Sequence, residues 1–427
     1  MDIIIIGAGA AGLMASKILT AKGINVLVLE ARDRLGGRIH TIANSFASNF
    51  EAGAEFIHGN LKLTRQLLKE AGLKQTKVKG GIYRMENGLL KEENDFVEGW
   101  DILINRLKKL KTDMTISKFL DESMPEEKYT DVKDSFKKYV QGYDSADIQD
   151  ASSFSIREEM ENEEGEQFRI DNGYTSLINF LAEESKTNGC IIKTSEVVKQ
   201  IYWQKNNAEV ITNNTTYKAQ KVIITIPIGV LQAKEKEEGA IKFYPEIIEQ
   251  QKAINDIGFG WVVKILLEFD EAFWFDKQFL KERNIYKPFF FFADTFIPTW
   301  WTQYPNERPL LTGWLAGPDA NKYSTLNENE FLAKAIASLA EIFRITSEHL
   351  HKKLKTYKVY NWVKDPFCRG AYSYTTMTTK RAVRILKEPL QDTLYFAGEA
   401  LVKSGTGTVD AALQSGDEVA KKILLEK

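Results

Sequence analysis

The stretch that decides the fold is residues 1–12, MDIIIIGAGAAG. Its four consecutive isoleucines form a short apolar, β-branched run, which is typical of a strand buried on both faces of a parallel sheet. A glycine-rich turn follows at once, then a helical pattern over residues 13–22 and a second strand-like run over residues 25–29, which ends at Glu30. The order strand, glycine turn, helix, strand, acid predicts an α/β fold that binds a dinucleotide.

The glycine turn carries the residue types that a pyrophosphate requires. Gly7 permits the tight turn, Gly9 lets the backbone approach the pyrophosphate, and Gly12 lets the helix pack close to the sheet. The start of the helix, which includes Ala11, presents free N–H groups and a partial positive charge to the phosphates. Glu30 follows at the spacing from which a carboxylate accepts hydrogen bonds from ribose hydroxyls.

The next segment distinguishes FAD from NAD. Residues 30–38, EARDRLGGR, combine an acid, three arginines and a second glycine pair, and the planar, permanently charged fork of arginine suits a pyrophosphate. This run resembles the FAD signature shared by flavin amine oxidases, phytoene desaturases and protoporphyrinogen oxidases. The resemblance implies that Glu30 and Arg32 hold the adenosine ribose and that Arg38 lies near the pyrophosphate. Two further positions of the run are also implied to contact FAD, namely Ala31 and Gly37.

A second glycine-rich loop before a helix lies far along the chain. Residues 396–416, FAGEALVKSGTGTVDAALQSG, resemble the C-terminal FAD motif of monoamine and polyamine oxidases. The resemblance places Gly398 and Glu399 by the ribityl–phosphate region and the backbone of Thr408 and Val409 near the flavin pyrimidine edge. A surface helix cap would explain the glycines and threonines alone, but not their occurrence together with the first motif.

The middle of the chain supports the same family. Residues 197–201 predict the start of a β-meander that ends with residues 221–227, and the segment VIITIPIGVL over residues 222–231 resembles the returning strand and loop of amine oxidases. Val198 matches a valine whose backbone contacts adenine.

Two segments predict the reacting end of the site. The pattern over residues 262–269 is strand-like, and on pattern alone Lys264 is as well explained by an outward charge on a half-exposed strand as by a buried one. Amine oxidases carry a lysine in a similar segment, bonded through a water to flavin N5, and the resemblance gives Lys264 that role. Residues 370–373, GAYS, resemble the family segment whose tyrosine, here Tyr372, forms one wall of an aromatic cage for the amine.

Differences from the monoamine oxidase motifs change the expected attachment of FAD and the expected substrate class. Ala371 stands where those enzymes carry a cysteine bonded to the flavin, so we expect non-covalent FAD. Thr408 stands where they carry the second tyrosine of the cage. Residues 51–59, EAGAEFIHG, instead resemble the ELGATWIHG segment of animal spermine and polyamine oxidases, in which the histidine, here His58, lines the pocket.

Composition bounds the remaining function classes. The chain has 427 residues and a formal net charge of −2, which gives no electrostatic reason to expect nucleic acid or an anionic membrane surface as a partner. The two cysteines, Cys190 and Cys368, lack the spacing of a metal or redox motif, so we expect buried thiols in a reducing, cytoplasmic setting and no metal site. The expected partners are a small amine and oxygen, and the expected assembly is a monomer or homodimer.

The expected architecture is the two-domain one of amine oxidases. A Rossmann-like FAD domain would comprise residues 1–75, 170–235 and 385–427, and an α+β substrate domain would comprise residues 76–169, mostly helical, and 236–384.

The expected function is FAD-dependent oxidation of a polyamine-like amine by hydride transfer to flavin N5, which gives an imine or aldehyde and hydrogen peroxide. One alternative is an L-amino-acid oxidase or desaturase-like flavin enzyme, although the sequence identifies no pocket arginine for a carboxylate. Another alternative is a flavoprotein of low turnover that binds a peptide or protein partner.

Overall fold

The computed structural model describes most of the chain. The described residues are 1–43, 49–59, 61–92, 98–162, 166–403 and 405–426. Ser404 of the C-terminal glycine motif lies outside them. The strands are β1 (Ile3–Ile6), β2 (Val26–Leu29), β3 (Thr41–Ile42), β4 (Phe50–Glu51), β5 (Ile57–His58), β6 (Gln75–Val78), β7 (Gly81–Glu86), β8 (Leu89–Glu92), β9 (Gln167–Ile170), β10 (Ile191–Lys193), β11 (Val198–Gln204), β12 (Asn207–Thr212), β13 (Thr216–Ala219), β14 (Lys221–Ile224), β15 (Lys242–Tyr244), β16 (Gly258–Phe259), β17 (Val262–Phe269), β18 (Pro288–Phe292), β19 (Thr299–Thr302), β20 (Leu310–Ala316), β21 (Leu354–Asn361), β22 (Ser373–Tyr374) and β23 (Leu394–Phe396).

The helices connect and cover these strands. They are α1 (Ala10–Thr20), α2 (Lys62–Glu70), α3 (Trp100–Lys109), α4 (Ile116–Ser123), α5 (Thr130–Tyr143), α6 (Ser153–Asn162), α7 (Thr175–Thr187), α8 (Ile228–Leu231), α9 (Ile248–Asn255), α10 (Lys277–Arg283), α11 (Gly317–Lys322), α12 (Glu328–Phe343), α13 (Ser347–Lys353), α14 (Thr379–Lys387) and α15 (Val409–Leu425). Short 3₁₀ turns lie at Glu127–Tyr129, Phe273–Phe275 and Glu399–Leu401.

A five-stranded parallel sheet confirms the predicted α/β class. Its strand order is β10-β2-β1-β14-β23, and every pairing is parallel. All four residues of β1 are buried, as expected for an apolar strand between two covered faces. Helices α1, α7 and α15 supply much of the apolar layer on one face. The ends of the chain therefore meet in one sheet and one core.

The β-meander is shorter than the sequence predicted. It joins β13, β12 and β11 antiparallel, with β15 added in parallel to β11. The expected last strand, β14, lies instead between β1 and β23 of the parallel sheet. Its continuous apolar run fits that doubly covered position better than the edge of a meander.

A seven-stranded sheet forms the other large layer, in the order β21-β17-β20-β19-β18-β7-β8. Two of its strands, β7 and β8, come from the part that was expected to be mostly helical, so that prediction is wrong for residues 76–92. Helices α3 to α6 follow it and pack around Leu103, Phe119 and Phe136. Each of these side chains lies on the apolar face of its amphipathic helix.

Strand β17 lies inside the seven-stranded sheet, between β21 and β20. All eight of its residues are buried, so the half-exposed interpretation of this segment is wrong. Lys264 is therefore a buried lysine, opposite Trp314 on β20 and Tyr360 on β21.

Two negative findings apply to the described residues alone. None of their helices combines the length and the apolar character that crossing a membrane demands. In the same part of the chain, His, Cys, Asp and Glu side chains form no cluster of three or more that could hold a metal ion. Cys190 and Cys368 are free and buried, as predicted.

Candidate active site

A cavity of about 1020 Å³ lies between the parallel sheet and the seven-stranded sheet. The carboxyl ends of three parallel strands open into it, at Gly7 after β1, Glu30 after β2 and Thr225 after β14, which is where open α/β sheets bind ligands. Its volume reaches the upper end of the range for single-ligand pockets, which is about 300–1000 Å³. It therefore has room for an extended cofactor together with a substrate.

The structure brings most of the sequence-predicted site residues to this one cavity. Those that line it are Gly7, Gly9, Ala11, Glu30, Ala31, Arg32, Gly37, Arg38, His58, Val198, Lys264, Tyr372, Gly398, Glu399, Thr408 and Val409. Gly12 does not line it, because this residue faces the protein interior.

Glu30 organises the nucleotide end of the cavity. Its buried carboxylate accepts hydrogen bonds from the backbone N–H of Ala8 at 2.8 Å and of Arg32 at 3.0 Å. The glycine turn and the following arginine loop are thus held by one side chain. Arg32 itself donates to the Asp365 carboxylate at 2.5 Å and lies over the ring of Phe367. Because Asp365 belongs to a distant segment, its pairing with Arg32 gave no signal in the sequence.

The glycines of the first motif test whether a dinucleotide fits. Gly7 has φ +103°, a conformation that favours glycine, and a Cβ on Gly12 would lie 2.0 Å from the carbonyl oxygen of Gly7. Gly9 has φ −80°, and a Cβ there would meet only the Gly36 carbonyl oxygen, at 3.9 Å. Neither strain nor protein packing requires a glycine at position 9. The free space in front of it, at the N-terminus of α1, fits a bound pyrophosphate.

An ion pair joins the two cofactor motifs across the middle of the cavity. Arg38 donates through Nη1 to Glu399 Oε1 at 2.8 Å and to the Ala371 carbonyl oxygen at 2.8 Å. Glu399 Oε2 accepts from Ser373 Oγ at 2.5 Å and from the Gly407 N–H at 2.9 Å. Burial acts to lower the pKa of Arg38, but the Glu399 carboxylate outweighs it and the net pKa is raised. Arg38 is thus a fixed cation on the cavity wall.

Thr408 caps helix α15 where the helix points into the cavity. Its hydroxyl accepts from the Ala411 N–H at 3.1 Å and donates to the Gly405 carbonyl oxygen at 2.8 Å. The preceding Gly407 packs against Tyr372, since a Cβ there would lie 3.1 Å from Tyr372 Cδ2. The Thr408 side chain is therefore committed to the cap, and its helix presents N–H groups to whatever occupies this end.

Lys264 belongs to a buried cluster of charged groups. Its ammonium donates to Glu55 Oε2 at 2.9 Å and to the Gly53 carbonyl oxygen at 3.3 Å. The other carboxylate oxygen, Glu55 Oε1, accepts from Arg169 Nε at 2.9 Å and from Trp301 Nε1 at 3.0 Å. Of this group, Lys264, Glu55 and Trp301 also line the cavity, so a paired cation faces its interior.

Tyr372 and His58 lie on the cavity wall among aromatic side chains. Tyr372 donates its hydroxyl to the Tyr143 carbonyl oxygen at 2.5 Å, and burial raises its pKa, so the phenol stays neutral. His58 contacts the rings of Phe56 and Tyr143 edge-on, with centroids 6.0 Å apart in both pairs. Burial among these rings lowers the pKa of His58 to about 4. A neutral imidazole therefore faces the cavity at neutral pH.

The half of the cavity that contains Tyr372 and His58 has walls that are aromatic and rich in carboxylates. The aromatic wall residues include Phe56, Tyr143, Phe290, Phe292, Trp301 and Trp314, and the acidic ones are Asp144, Glu159, Asp294 and Asp319. Two cations, Arg84 and Lys138, also line it, and Lys138 pairs with Asp294 at 2.6 Å. The half thus favours a ligand that has apolar segments and positive charge.

Sequence reasoning missed several residues that shape the site. Glu55 was part of the EAGAEFIHG segment but received no role, and only its charge beside two apolar neighbours could have indicated burial. Arg169 and Trp301 reach Glu55 from distant strands, so nothing local in the sequence indicates them. Arg84 is an arginine on the cavity wall that the sequence did not identify, and its guanidinium lies over the ring of Phe292 at 5.4 Å.

Comparison with known proteins connects this geometry to a family. Residues 10–424 match the family described as flavin containing amine oxidoreductase. Lysine-specific histone demethylase 2 of Homo sapiens is 29% identical over 99% of the chain and 53% of its own length. Polyamine oxidase 4 of Oryza sativa subsp. japonica is 27% identical over the whole chain and 90% of its own length. The chain thus spans about half of the demethylase but most of the polyamine oxidase.

The solved structures show the same fold. A double mutant of putrescine oxidase superposes with a TM-score of 0.82 at 19% identity, covering 99% of both chains. The predicted fold class, a Rossmann-like sheet and β-meander with an inserted second region, is confirmed by this similarity over the full length.

Alanine substitutions at two glycines of the same motif are expected to affect different properties, one stability and the other cofactor binding. Gly12→Ala should destabilise the protein by about 1–3 kcal/mol, because the new methyl group overlaps the Gly7 carbonyl. Gly9→Ala should leave stability unchanged but weaken FAD binding, because its methyl group enters the cavity. Urea unfolding without added cofactor and FAD titration followed by fluorescence quenching measure the two effects. Equal FAD affinity in Gly9→Ala and wild type would contradict the placement of the pyrophosphate.

Acid should remove the contribution that two partly buried histidines make to stability. The pKa values of His58 and His40 are both about 4 in the folded protein, below the unfolded value of about 6.5. The unfolded chain therefore binds more protons at these two histidines between those values, so their contribution to stability is full above pH 6.5 and is lost as the pH drops toward 4. Glu51, whose pKa burial raises to about 7, acts in the opposite direction. In His58→Gln the decline should be shallower, with His40 left to contribute. Urea midpoints from pH 7.5 to 4.5 test this, and identical slopes in the two proteins would refute it.

Proposed function

The chain belongs to the flavin-containing amine oxidoreductase family, and from this premise we propose that it oxidises a polyamine-like amine with non-covalently bound FAD. The observation that carries the proposal is the division of one cavity into a dinucleotide half and an aromatic, carboxylate-rich half. Lys264 and Tyr372 line this same cavity, together with the glycine motifs. Family membership implies a flavin cofactor, and the identity of the amine is the part that we infer.

The residues of the first half suit an extended FAD. Glu30 would hold the adenosine ribose, Val198 the adenine edge, and the N-terminus of α1 the pyrophosphate. The Arg38–Glu399 pair would lie along the middle of the cofactor. Ala371 offers no nucleophile to the flavin ring, which supports a cofactor that dissociates.

Lys264 supplies a fixed positive charge at the reacting end. A bound flavin would supply the two-electron redox chemistry at this end of the cavity, taking up a hydride from the carbon next to the amine nitrogen. The paired ammonium of Lys264 would favour negative charge that develops on that group, and it would cost no reorganisation because Glu55 and Gly53 already hold it.

The second half would bind and orient the amine. Ring faces of the wall aromatics attract an ammonium group, and the carboxylates Glu159 and Asp319 attract further charged nitrogens of a polyamine. The reacting nitrogen must lose its proton before its neighbouring carbon can release a hydride. His58 is neutral at pH 7 and can accept a hydrogen bond from that nitrogen.

The proposed reaction balances with oxygen and water. The amine would lose two electrons with the hydrogen of its C–H bond and a proton from nitrogen, and bound flavin would relay the electrons to oxygen, which would become hydrogen peroxide. Water adds to the imine carbon, the C–N bond breaks, and an aldehyde and a smaller amine leave. Oxygen is therefore the electron acceptor and water the hydrolytic co-reactant.

A second candidate is an L-amino-acid oxidase. Arg84 on the wall favours it, because a guanidinium could pair with a substrate carboxylate. The surrounding carboxylates oppose an anionic group, which is why we place the polyamine first. A third candidate, oxidation of a lysine side chain in a bound peptide, draws on the demethylase relatives, of which this chain spans about half the length.

Anaerobic mixing with a panel of amines tests the proposal directly. Spermine or spermidine should bleach the flavin absorbance, whereas phenylethylamine should do so slowly and L-amino acids should not. Bleaching by an L-amino acid alone would support the Arg84-based candidate. Bleaching by none of these compounds would overturn the amine oxidase proposal.

Lys264→Met should separate cofactor binding from chemistry. Methionine fills a similar volume without charge, so FAD should remain bound while flavin turnover falls by about 10²-fold or more, the range for loss of one electrostatic group. Absorbance spectra report the bound flavin and stopped-flow mixing reports the rates. Turnover at the wild-type rate would remove Lys264 from the mechanism.

A further inference from the structure

Glu55 marks a departure from the segment that this part of the chain resembles. Residues 51–59 read EAGAEFIHG, whereas the spermine and polyamine oxidase segment reads ELGATWIHG. A carboxylate thus stands where that segment has a threonine. Glu55 is buried, and two cations, Lys264 and Arg169, each lie 2.9 Å from its carboxylate.

The two oxygens of Glu55 have separate partners. Oε1 is clamped by Arg169 and by the indole N–H of Trp301, and Oε2 is left to face Lys264. Arg169 is in turn anchored by the carbonyl oxygens of Thr302 and Tyr304, each at 3.0 Å. The carboxylate is therefore held from behind by backbone of the seven-stranded sheet. Its orientation toward Lys264 is built in before any ligand arrives.

Burial makes this pairing a requirement for a charged lysine. The side chains of Lys264 and Glu55 are 1% and 5% exposed, so an ammonium at that depth has lost nearly all of its hydration and needs an anion beside it. Burial acts to raise the pKa of Glu55, but Lys264 and Arg169 lower it by more, so the carboxylate is ionised. A threonine in its place would remove the carboxylate that both cations contact and leave them only the more distant Glu51, whose pKa burial raises to about 7.

The geometry also leaves one lysine donor for the cavity. An ammonium carries three N–H donors, and within the described part of the chain Lys264 has two acceptors, Glu55 and the Gly53 carbonyl. Lys264 lines the cavity, so the remaining donor is available to a water or ligand atom there. Two fixed acceptors determine its direction.

We propose that Glu55 is a positioning residue, which keeps Lys264 a paired ammonium and aims its remaining N–H into the cavity. The part played by Lys264 rests on the proposed function, whereas the pairing itself does not. In this chain the orientation of Lys264 thus depends on Glu55, which Arg169 in turn holds in place.

Chemical labelling tests the pairing without measuring turnover. Acetic anhydride acylates accessible neutral amines, so Lys264, which is buried and paired, should react slowly in the wild-type holoprotein compared with exposed Lys22. In Glu55→Gln its acylation, followed by mass spectrometry, should rise about tenfold or more, because loss of a buried counter-ion disfavours the ammonium. Glu268→Gln is the matched control, since Glu268 is similarly buried on the same strand as Lys264 but does not line the cavity. It should leave the labelling unchanged.

Labelling with a thiol reagent controls for unfolding of the variants. Cys190 and Cys368 are buried, so both should stay unreactive in every variant if the fold is intact. Faster Lys264 labelling with both thiols still protected would support the proposal. Equal labelling in wild type and Glu55→Gln would overturn it, and so would faster labelling accompanied by exposed thiols.

A double-mutant cycle then tests whether Glu55 acts through Lys264. Glu55→Gln should lower kcat for the oxidised amine with little change in KM, and Glu55→Asp should restore part of the rate. In a Lys264→Met background, Glu55→Gln should cause no further loss, whereas independent losses would multiply and contradict the proposal. If no amine bleaches the flavin, the proposed function fails, but the labelling result still decides the role of Glu55.

Discussion

The Arg38–Glu399 ion pair is the interaction on which the arrangement of the site depends. Its two residues are 361 positions apart, and each belongs to one of the two cofactor motifs. The side chain of Glu399 is 5% exposed and that of Arg38 is 25% exposed, so removal of either residue would leave a mostly desolvated partner without its ion pair. The pair fixes the arginine-rich loop after β2 relative to the glycine loop that precedes helix α15. The dinucleotide half of the cavity is a consequence of that closure.

Much of the fold could be predicted because its signals are local. The isoleucines of β1, the glycine spacing after them and Glu30 lie within one short segment, and each has a single physical explanation. The C-terminal glycine loop also precedes a helix, α15, so it too can be recognised from local sequence. Residue types that serve backbone geometry, such as a glycine with positive φ at position 7, therefore reveal themselves without knowledge of tertiary contacts.

The rest depends on contacts between segments far apart in sequence. Pattern alone could not place β14, since a short apolar run suits a meander and a parallel sheet equally. It could not decide whether Lys264 was buried, because the answer comes from β20 and β21 on either side. The sequence pattern likewise gave no indication of the contact between Arg169 and Glu55 or of the carboxylates that line the cavity. Each is made by side chains that meet only when both large sheets are assembled.

The distance between the two motifs also has a meaning for biosynthesis. At about 5–20 residues per second, a ribosome needs roughly 20 to 70 s to make the 361 residues from Arg38 to Glu399. During that interval the first motif exists while the part of the cavity wall that Glu399 and Thr408 contribute has not been made. The complete flavin site therefore exists only after the start of α15 has been translated. A chain that stalls before that point would release an open sheet edge to chaperones and proteases instead of a coloured protein.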